Sequence, residues 1–112
     1  MTIYANGVDL TVVFEETPTF TRRVTALLDD DVYAALQQYL ILHPDAGDLI
    51  RGSGGFRKVR WSAPGRGKRG GVRVIYYWWN SEDVISMVLI YAKNERDDLT
   101  PDQLKKLKHL LD

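Results

Sequence analysis

Apolar residues along this chain follow two rhythms, a period of two and a period near 3.6, and the switches between them mark its elements. Leu10, Val12 and Phe14 are separated by Thr11, Val13 and Glu15, the alternation expected of a strand. Thr17-Pro18 then offers a capping hydroxyl and a proline suited to a first helical turn, and Phe20, Val24, Leu27 and Leu28 fall on one face of the helix that follows. The run Asp29-Asp30-Asp31 ends that helix unfavourably but begins a second one well, because carboxylates are stabilised near the positive N-terminal end of a helix dipole. Val32, Leu36, Tyr39 and Leu40 recur at helical spacing until Pro44 stops the run.

After a stretch of turn formers from Asp45 to Gly55, the period of two returns. Phe56 to Ser62 reads as a strand with Lys58 and Arg60 on one face and Arg57, Val59 and Trp61 on the other. Ala63 to Gly71 is a basic, glycine-rich loop, Val72 to Trp79 is dense in β-branched and aromatic residues, and Asn80 to Asp83 turns the chain into a third such run, Val84 to Ala92. Within Tyr76-Tyr77-Trp78-Trp79, alternation assigns Tyr76 and Trp78 to one face and Tyr77 and Trp79 to the other. Thr100-Pro101-Asp102-Gln103 supplies a cap, a first-position proline and a glutamine three residues past the cap; Leu104, Leu107, Leu110 and Leu111 form the apolar stripe of the helix it opens. The order β-α-α-β-β-β-α, with its last three strands in an antiparallel meander, predicts an α+β fold. At 112 residues the chain is expected to form one domain over residues 1–112.

Charge changes the picture. The chain is neutral, with 15 basic and 15 acidic residues, yet Arg51 to Arg73 holds eight cations (Arg51, Arg57, Lys58, Arg60, Arg66, Lys68, Arg69 and Arg73) and no acid. Residues 1–50 hold two basic against eight acidic groups, and residues 74–112 five against seven. Such a segment attracts a polyanion, phosphates above all. Lys58, Arg60 and Arg73 stand on predicted strands and are held more precisely than Arg66, Lys68 and Arg69 on the loop, whose glycines let the backbone approach a phosphate chain closely. The aromatic run offers surfaces on which bases stack.

Other chemistries are excluded. There is no cysteine, hence no disulfide framework, thiolate metal site or cysteine nucleophile. Neither GSGGFRK nor GRGKRGG has the spacing of a P-loop, and no G-x-G-x-x-G opens a helix after a strand. His43 before Pro44 and His109 in the last turn of the final helix are read as structural, so no metal site is expected. The opening MTIYANGVDL lacks the basic and apolar regions of a secretory signal, and Val84 to Ala92, interrupted by Ser86, is far shorter than the roughly 20 residues that span a bilayer. A soluble, cytoplasmic chain without a membrane partner is the expectation.

Three segments, GSGGFRKVRW (Gly52 to Trp61), GRGKRGGVRVIYYWW (Gly65 to Trp79) and IYAKNERDDLT (Ile90 to Thr100), resemble the RelE/HigB superfamily of bacterial toxins, specifically its HigB-like, phage-derived branch. With the two N-terminal helices and the C-terminal leucine helix, the resemblance covers nearly the whole chain. It implies a RelE-like fold with a twisted, mostly antiparallel sheet. It also implies the toxin of a type II toxin-antitoxin system, a ribosome-dependent mRNA endoribonuclease that works without metal or other cofactor. In that chemistry the substrate 2′-hydroxyl attacks the adjacent phosphate and leaves a cyclic phosphate and a free 5′-hydroxyl.

By the same resemblance, Lys58 and Arg60 match paired basic positions on one strand of the family, Arg73 matches the arginine that begins the next, and Lys93 matches the first of a basic pair. Arg60 and Arg73 would hold the phosphate and its developing charge with a bidentate geometry that lysine lacks. A base role for Lys58 requires neighbouring cations and desolvation to favour its neutral amine. The sequence departs from the family at Asn94, where a second basic residue is expected, and at Thr100, near the position of a tyrosine. Tyr91 or Tyr77 is left to replace that tyrosine, and Tyr91 shares strand parity with Lys93. The expected catalytic set is therefore Lys58, Arg60, Arg73, Lys93 and Tyr91, and the expected RNA-gripping set is Arg57, Arg66, Lys68, Arg69 and Tyr77.

Two other readings compete. A ParE-like toxin of the same fold would act on DNA gyrase, although such proteins generally lack this cluster of strand cations. A non-catalytic RNA-binding module would use the same basic strip and cleave nothing. The partners implied are mRNA on the ribosome and a cognate antitoxin, HigA-like and of helix-turn-helix type, that either covers the basic groove with an acidic segment or a blocking helix or docks elsewhere.

Overall fold

The computed structural model describes residues 2–3, 12–63, 71–95 and 99–111. Among these, three helices lie against one six-stranded sheet: β1 (Thr2–Ile3), β2 (Val12–Glu16), α1 (Pro18–Leu27), α2 (Asp30–Leu42), β3 (Asp48–Leu49), β4 (Arg57–Trp61), β5 (Val72–Trp79), β6 (Val84–Ala92) and α3 (Pro101–Leu111). The α+β class and the antiparallel β4-β5-β6 meander agree with the periodicity. Two pairings carry no local signal. β3 emerges from the turn-rich segment to pair antiparallel with β4, and β2 runs parallel to β6. The sheet order is β1-β2-β6-β5-β4-β3, with a two-residue strand at each edge. Leu10, Thr11 and most of the glycine-rich loop, residues 64–70, lie outside the described residues.

Thr17 joins the first helix to the sheet. Its Oγ1 accepts the Phe20 amide at 3.1 Å, which caps α1, and donates to the Val88 carbonyl at 2.7 Å, while its own amide donates to the Met87 carbonyl at 3.0 Å. Those carbonyls flank a slip in the β5-β6 ladder: Ile75 pairs with Leu89 but Tyr76 pairs with Met87, so Val88 is an extra residue, a β-bulge. At the other end of the chain, Thr100 and Gln103 form the expected capping box: the Thr100 amide donates to Gln103 Oε1 at 2.9 Å, and the Gln103 amide donates to Thr100 Oγ1 at 3.2 Å. Thr100 thus serves as a helix cap where the family resemblance looks for a tyrosine.

The two faces of the sheet bury separate cores. Phe20, Val24 and Leu27 of α1 and Leu36 and Leu40 of α2 pack on Phe14, Val59, Val74, Tyr76, Met87 and Ile90. Leu104 of α3 packs on the opposite face with Phe56, Ile75, Val88, Leu89 and Tyr91. Each fully buried aliphatic or aromatic side chain contributes roughly 1.5–3 kcal/mol. Tyr76 and Trp78 fall on the α1/α2 face, and Tyr77 falls on the α3 face, as alternation requires.

Tyr76 also sets the edge of the sheet. Fully buried, its hydroxyl donates to the Pro44 carbonyl at 2.7 Å and accepts the Gly47 amide at 2.9 Å. Burial raises its pKa, with the Gly47 hydrogen bond acting in the opposite sense. Arg57 Nη1 donates to the carbonyls of Asp45 at 3.0 Å and Gly47 at 2.8 Å. A turn with few apolar residues is thereby fixed from beneath, and β3 is set beside β4.

On α2, the Tyr33 hydroxyl donates to Glu16 Oε2 at 2.6 Å. Burial first, then that hydrogen bond and the Glu16 charge, raise its pKa far above the usual phenol value. A folded pKa above the unfolded one means that the stabilisation is complete below about pH 10 and is lost as pH rises beyond it. The melting temperature is expected to fall above about pH 10, and Tyr33→Phe to flatten that fall. Parallel alkaline melting curves for the two proteins would show that Tyr33 does not contribute.

Candidate functional site

Cross-strand register builds the site. Arg60 of β4 pairs with Arg73 of β5, and Arg73 pairs with Tyr91 of β6, so three side chains form a row on one face. The neighbouring row runs from Asp48 on β3 through Lys58 and Ile75 to Leu89. Both rows belong to the face that α3 covers in part: Ile75, Leu89 and Tyr91 join its core, whereas Arg60 is exposed and Lys58 and Arg73 are half-buried. What α3 leaves open is a cavity of about 870 Å³ lined by Lys58, Arg60, Arg73, Tyr91 and Lys93 together with Tyr39, Ala46, Asp48, Leu49, Ile50, Val59 and Glu95. All five residues of the expected catalytic set therefore meet in one concavity.

Like charges directly opposite each other across a strand pair are destabilising. Arg60 and Arg73 occupy such a pair. An anion between them converts the repulsion into two charge-assisted contacts, and guanidinium groups match the oxygens of a phosphate in pairs. Beside them, Lys58 Nζ lies 6.0 Å from the ring centroid of Tyr91, which is 5% exposed.

Lys93 lies just past β6, and its amide donates to the Gly71 carbonyl at 3.3 Å. The turn that carries it is closed by Glu95: Oε1 accepts the Ala92 amide at 2.8 Å, and the Glu95 amide donates to the Ala92 carbonyl at 2.9 Å. Glu95 Oε2 is paired with Arg23 Nη2 of α1 at 2.9 Å. This carboxylate is consequently engaged, and its role here is to fix the backbone beside Lys93. Among the described residues no group of three or more histidine, aspartate or glutamate side chains is arranged to hold a metal ion.

Of the expected RNA-gripping set, the two described members, Arg57 and Tyr77, lie apart. Arg57 points to the other face and holds the Asp45–Gly47 turn. Tyr77 shares parity with Arg73 but lies further along β5, with Phe56 at 5.1 Å and Trp79 at 4.4 Å between ring centroids and Lys108 Nζ 4.9 Å from its own. It does not line the cavity. Arg66, Lys68 and Arg69 lie outside the described residues. His43 ends α2, where its ring meets Tyr39 at 5.2 Å, and His109 sits in the last turn of α3.

Sequence reasoning missed Tyr39, Asp48, Leu49 and Glu95 as members of the cavity wall. Asp48 and Leu49 enter through a two-residue strand without local signature, and Glu95 enters through a turn. A second cavity, about 610 Å³, lies between the start of α1 and α3 and is lined by Val88, Leu89, Leu107 and Leu111 among others. Its charged members are Glu15, Glu16 and Arg23, the last already paired with Glu95, so it lacks the cationic character of the first.

Residues 16–111 match the family model described as the RelE toxin of the RelE/RelB toxin-antitoxin system. Among solved structures, a mutant of the E. coli toxin RelE in the free state aligns with a TM-score of 0.54, covering 74% of this chain and 84% of that one at 14% identity. That likeness bears on the fold. Among the described residues, no helix is long and apolar enough to cross a membrane.

Proposed function

The chain belongs to the RelE toxin family, and from that premise we propose that it is an endoribonuclease that cuts messenger RNA on the ribosome and so stops translation. The observation that carries this reading is the register pair Arg60-Arg73, two guanidinium groups opposed on an open sheet face beside Lys58, Tyr91 and Lys93. The reaction begins with attack of the substrate 2′-hydroxyl on the adjacent phosphate. Its proton passes to a base, the role assigned to Lys58. Arg60 and Arg73 hold the phosphorane and its developing charge. The departing 5′-oxygen takes a proton from Tyr91 or Lys93, the donors on the β6 side of the row. The products are a cyclic phosphate and a 5′-hydroxyl. Because the nucleophile is supplied by the RNA itself, the residues needed are a base, a charge clamp and an acid.

Action on the ribosome places the protein in the cytoplasm, with residues 1–112 working as one toxin domain. Its antitoxin, read as a HigA-like helix-turn-helix protein, would neutralise it by laying acidic groups over the cationic cavity. Sequencing of transcript 5′ ends after induction is the decisive experiment. New 5′-hydroxyl ends inside coding regions are expected with the natural chain and not with Arg73→Ala. Growth arrest without new ends, accompanied by loss of supercoiling activity from purified gyrase, would transfer the protein to the gyrase-directed reading. RNA binding without new ends would make it a non-catalytic module.

A further inference from the structure

We propose that Tyr39, backed by Trp61, is a stacking platform for an unpaired base of the RNA whose phosphate lies between Arg60 and Arg73. The inference rests on the nuclease reading and adds a recognition element to it. Helical spacing assigns Tyr39 to the apolar stripe of α2, yet it lies at the margin of that stripe, 38% exposed. The exposed large hydrophobic residues among those described are Tyr39, Leu42 and Leu49, and two of these three line the cationic cavity. Exposed apolar surface gathered at one concavity marks a binding site rather than scattered surface residues.

The ring is held in place before any ligand arrives. Its centroid lies 5.3 Å from that of Trp61 and 5.2 Å from that of His43, with interplanar angles of 38° and 46°. Trp61 is itself anchored, its Nε1 donating to the Val32 carbonyl at 3.2 Å. An aromatic group fixed from behind and open in front loses little conformational freedom when a second ring covers it.

Charge complementarity selects the occupant. Trp61 directly follows Arg60 in β4, so the backing of the platform and one jaw of the phosphate clamp are successive residues facing opposite sides of the strand. A nucleotide carries an anionic phosphate and an aromatic base joined by one sugar, and single strands are recognised by this combination of cationic groove and aromatic face. Paired bases inside a helix cannot present that face.

The test uses a short single-stranded RNA with a 2′-deoxy group at the scissile nucleotide, which binds without being cut, and reads its affinity by fluorescence anisotropy. Tyr39→Ala is expected to weaken binding roughly 5- to 150-fold, the range for loss of one base–aromatic stack. Tyr39→Phe and Tyr39→Trp should bind within about threefold of the natural chain, since the π-face is kept. A second oligonucleotide, abasic at the nucleotide next to the scissile phosphate on either side in turn, should lose the same factor on the natural chain at one of the two positions and almost nothing further on Tyr39→Ala. This arm keeps the test valid should Tyr39→Ala fold poorly. Unchanged affinity in Tyr39→Ala, or no penalty from either abasic site, overturns the platform. If Arg73→Ala still weakens binding in that case, the nuclease reading survives alone; if the natural chain binds no RNA, the platform falls, and the nuclease reading stands or falls separately on the transcript 5′ ends.

Discussion

Arg73→Ala is expected to lower the rate of mRNA cleavage by about two to three orders of magnitude, the usual effect of removing one preorganised donor from a developing oxyanion. Arg73 sits in the middle of its row, paired with Arg60 on one side and Tyr91 on the other. Arg73→Lys should recover only part of the rate, because the charge returns without the planar fork. Arg73→Ala, unlike Arg73→Lys, relieves the opposition of two cations across β4 and β5 but also removes the hydrogen bond from Arg73 Nη1 to the Val72 carbonyl at 3.4 Å, so the melting temperature should change little. A large loss of activity with little change in stability is the signature of a residue retained for function. Together, Lys58→Ala, Arg60→Ala and Arg73→Ala should abolish growth arrest while circular dichroism remains native. Toxicity surviving that triple change would remove these residues from the catalytic site.

Among the described glycines, Gly71→Ala should be the most damaging substitution. Gly71 has φ of +71°, and a Cβ there would overlap the Trp61 carbonyl oxygen and lie 2.9 Å from its carbonyl carbon. Both obstacles are backbone, at the point where Trp61 pairs with Val72 and the β4-β5 ladder begins. Gly52 provides the control. Its φ is +77°, but the nearest atom to a Cβ there is the Pro101 Cβ at 3.7 Å. Left-handed strain alone should cost Gly52→Ala about 1 kcal/mol, whereas Gly71→Ala should cost about 3–4 kcal/mol, because two strands must part to admit it. Against a total stability of roughly 5–15 kcal/mol, that is a large share. Urea midpoints measured side by side decide the matter, and equal losses at the two positions would show that the backbone contact carries no weight. Cleavage should fall with Gly71→Ala as well, since the Gly71 carbonyl receives the amide of Lys93.

The features legible in the sequence were those encoded by neighbours along the chain. Thr17-Pro18 and Thr100-Pro101-Gln103 specify helix starts by hydrogen bonds that span three residues, and both form as read. Strand parity placed Lys58 with Arg60 and separated Tyr76 from Tyr77, because alternation is a property of the strand itself. It did not say how far along a strand the open cavity reaches. Tyr77 therefore has the parity of the site but lies by the α3 side of the core, and Arg57, whose parity points away, binds a turn. The parallel β2-β6 pairing depends on partners tens of residues distant, while β3 and the bulge at Val88 depend on register with the adjacent strand, and none of the three leaves a local trace. Tyr39 illustrates the same limit: helical periodicity identifies the stripe to which a residue belongs, and only the packed sheet decides which member of the stripe stands at its rim.

The shortness of the outermost strands has a consequence for how copies of this protein meet. A sheet ordinarily ends in a row of unpaired amides and carbonyls that another molecule can extend, and long flat edges of that kind invite fibrillar association. Here the eight- and nine-residue strands β5 and β6 lie in the interior, while β1 and β3 each offer two residues at the margin. At the β3 margin one of those two is Asp48, and a second copy arriving in antiparallel alignment would set carboxylate near carboxylate. That edge resists growth of the sheet into a fibre, and it does so with the same two residues that wall the cavity.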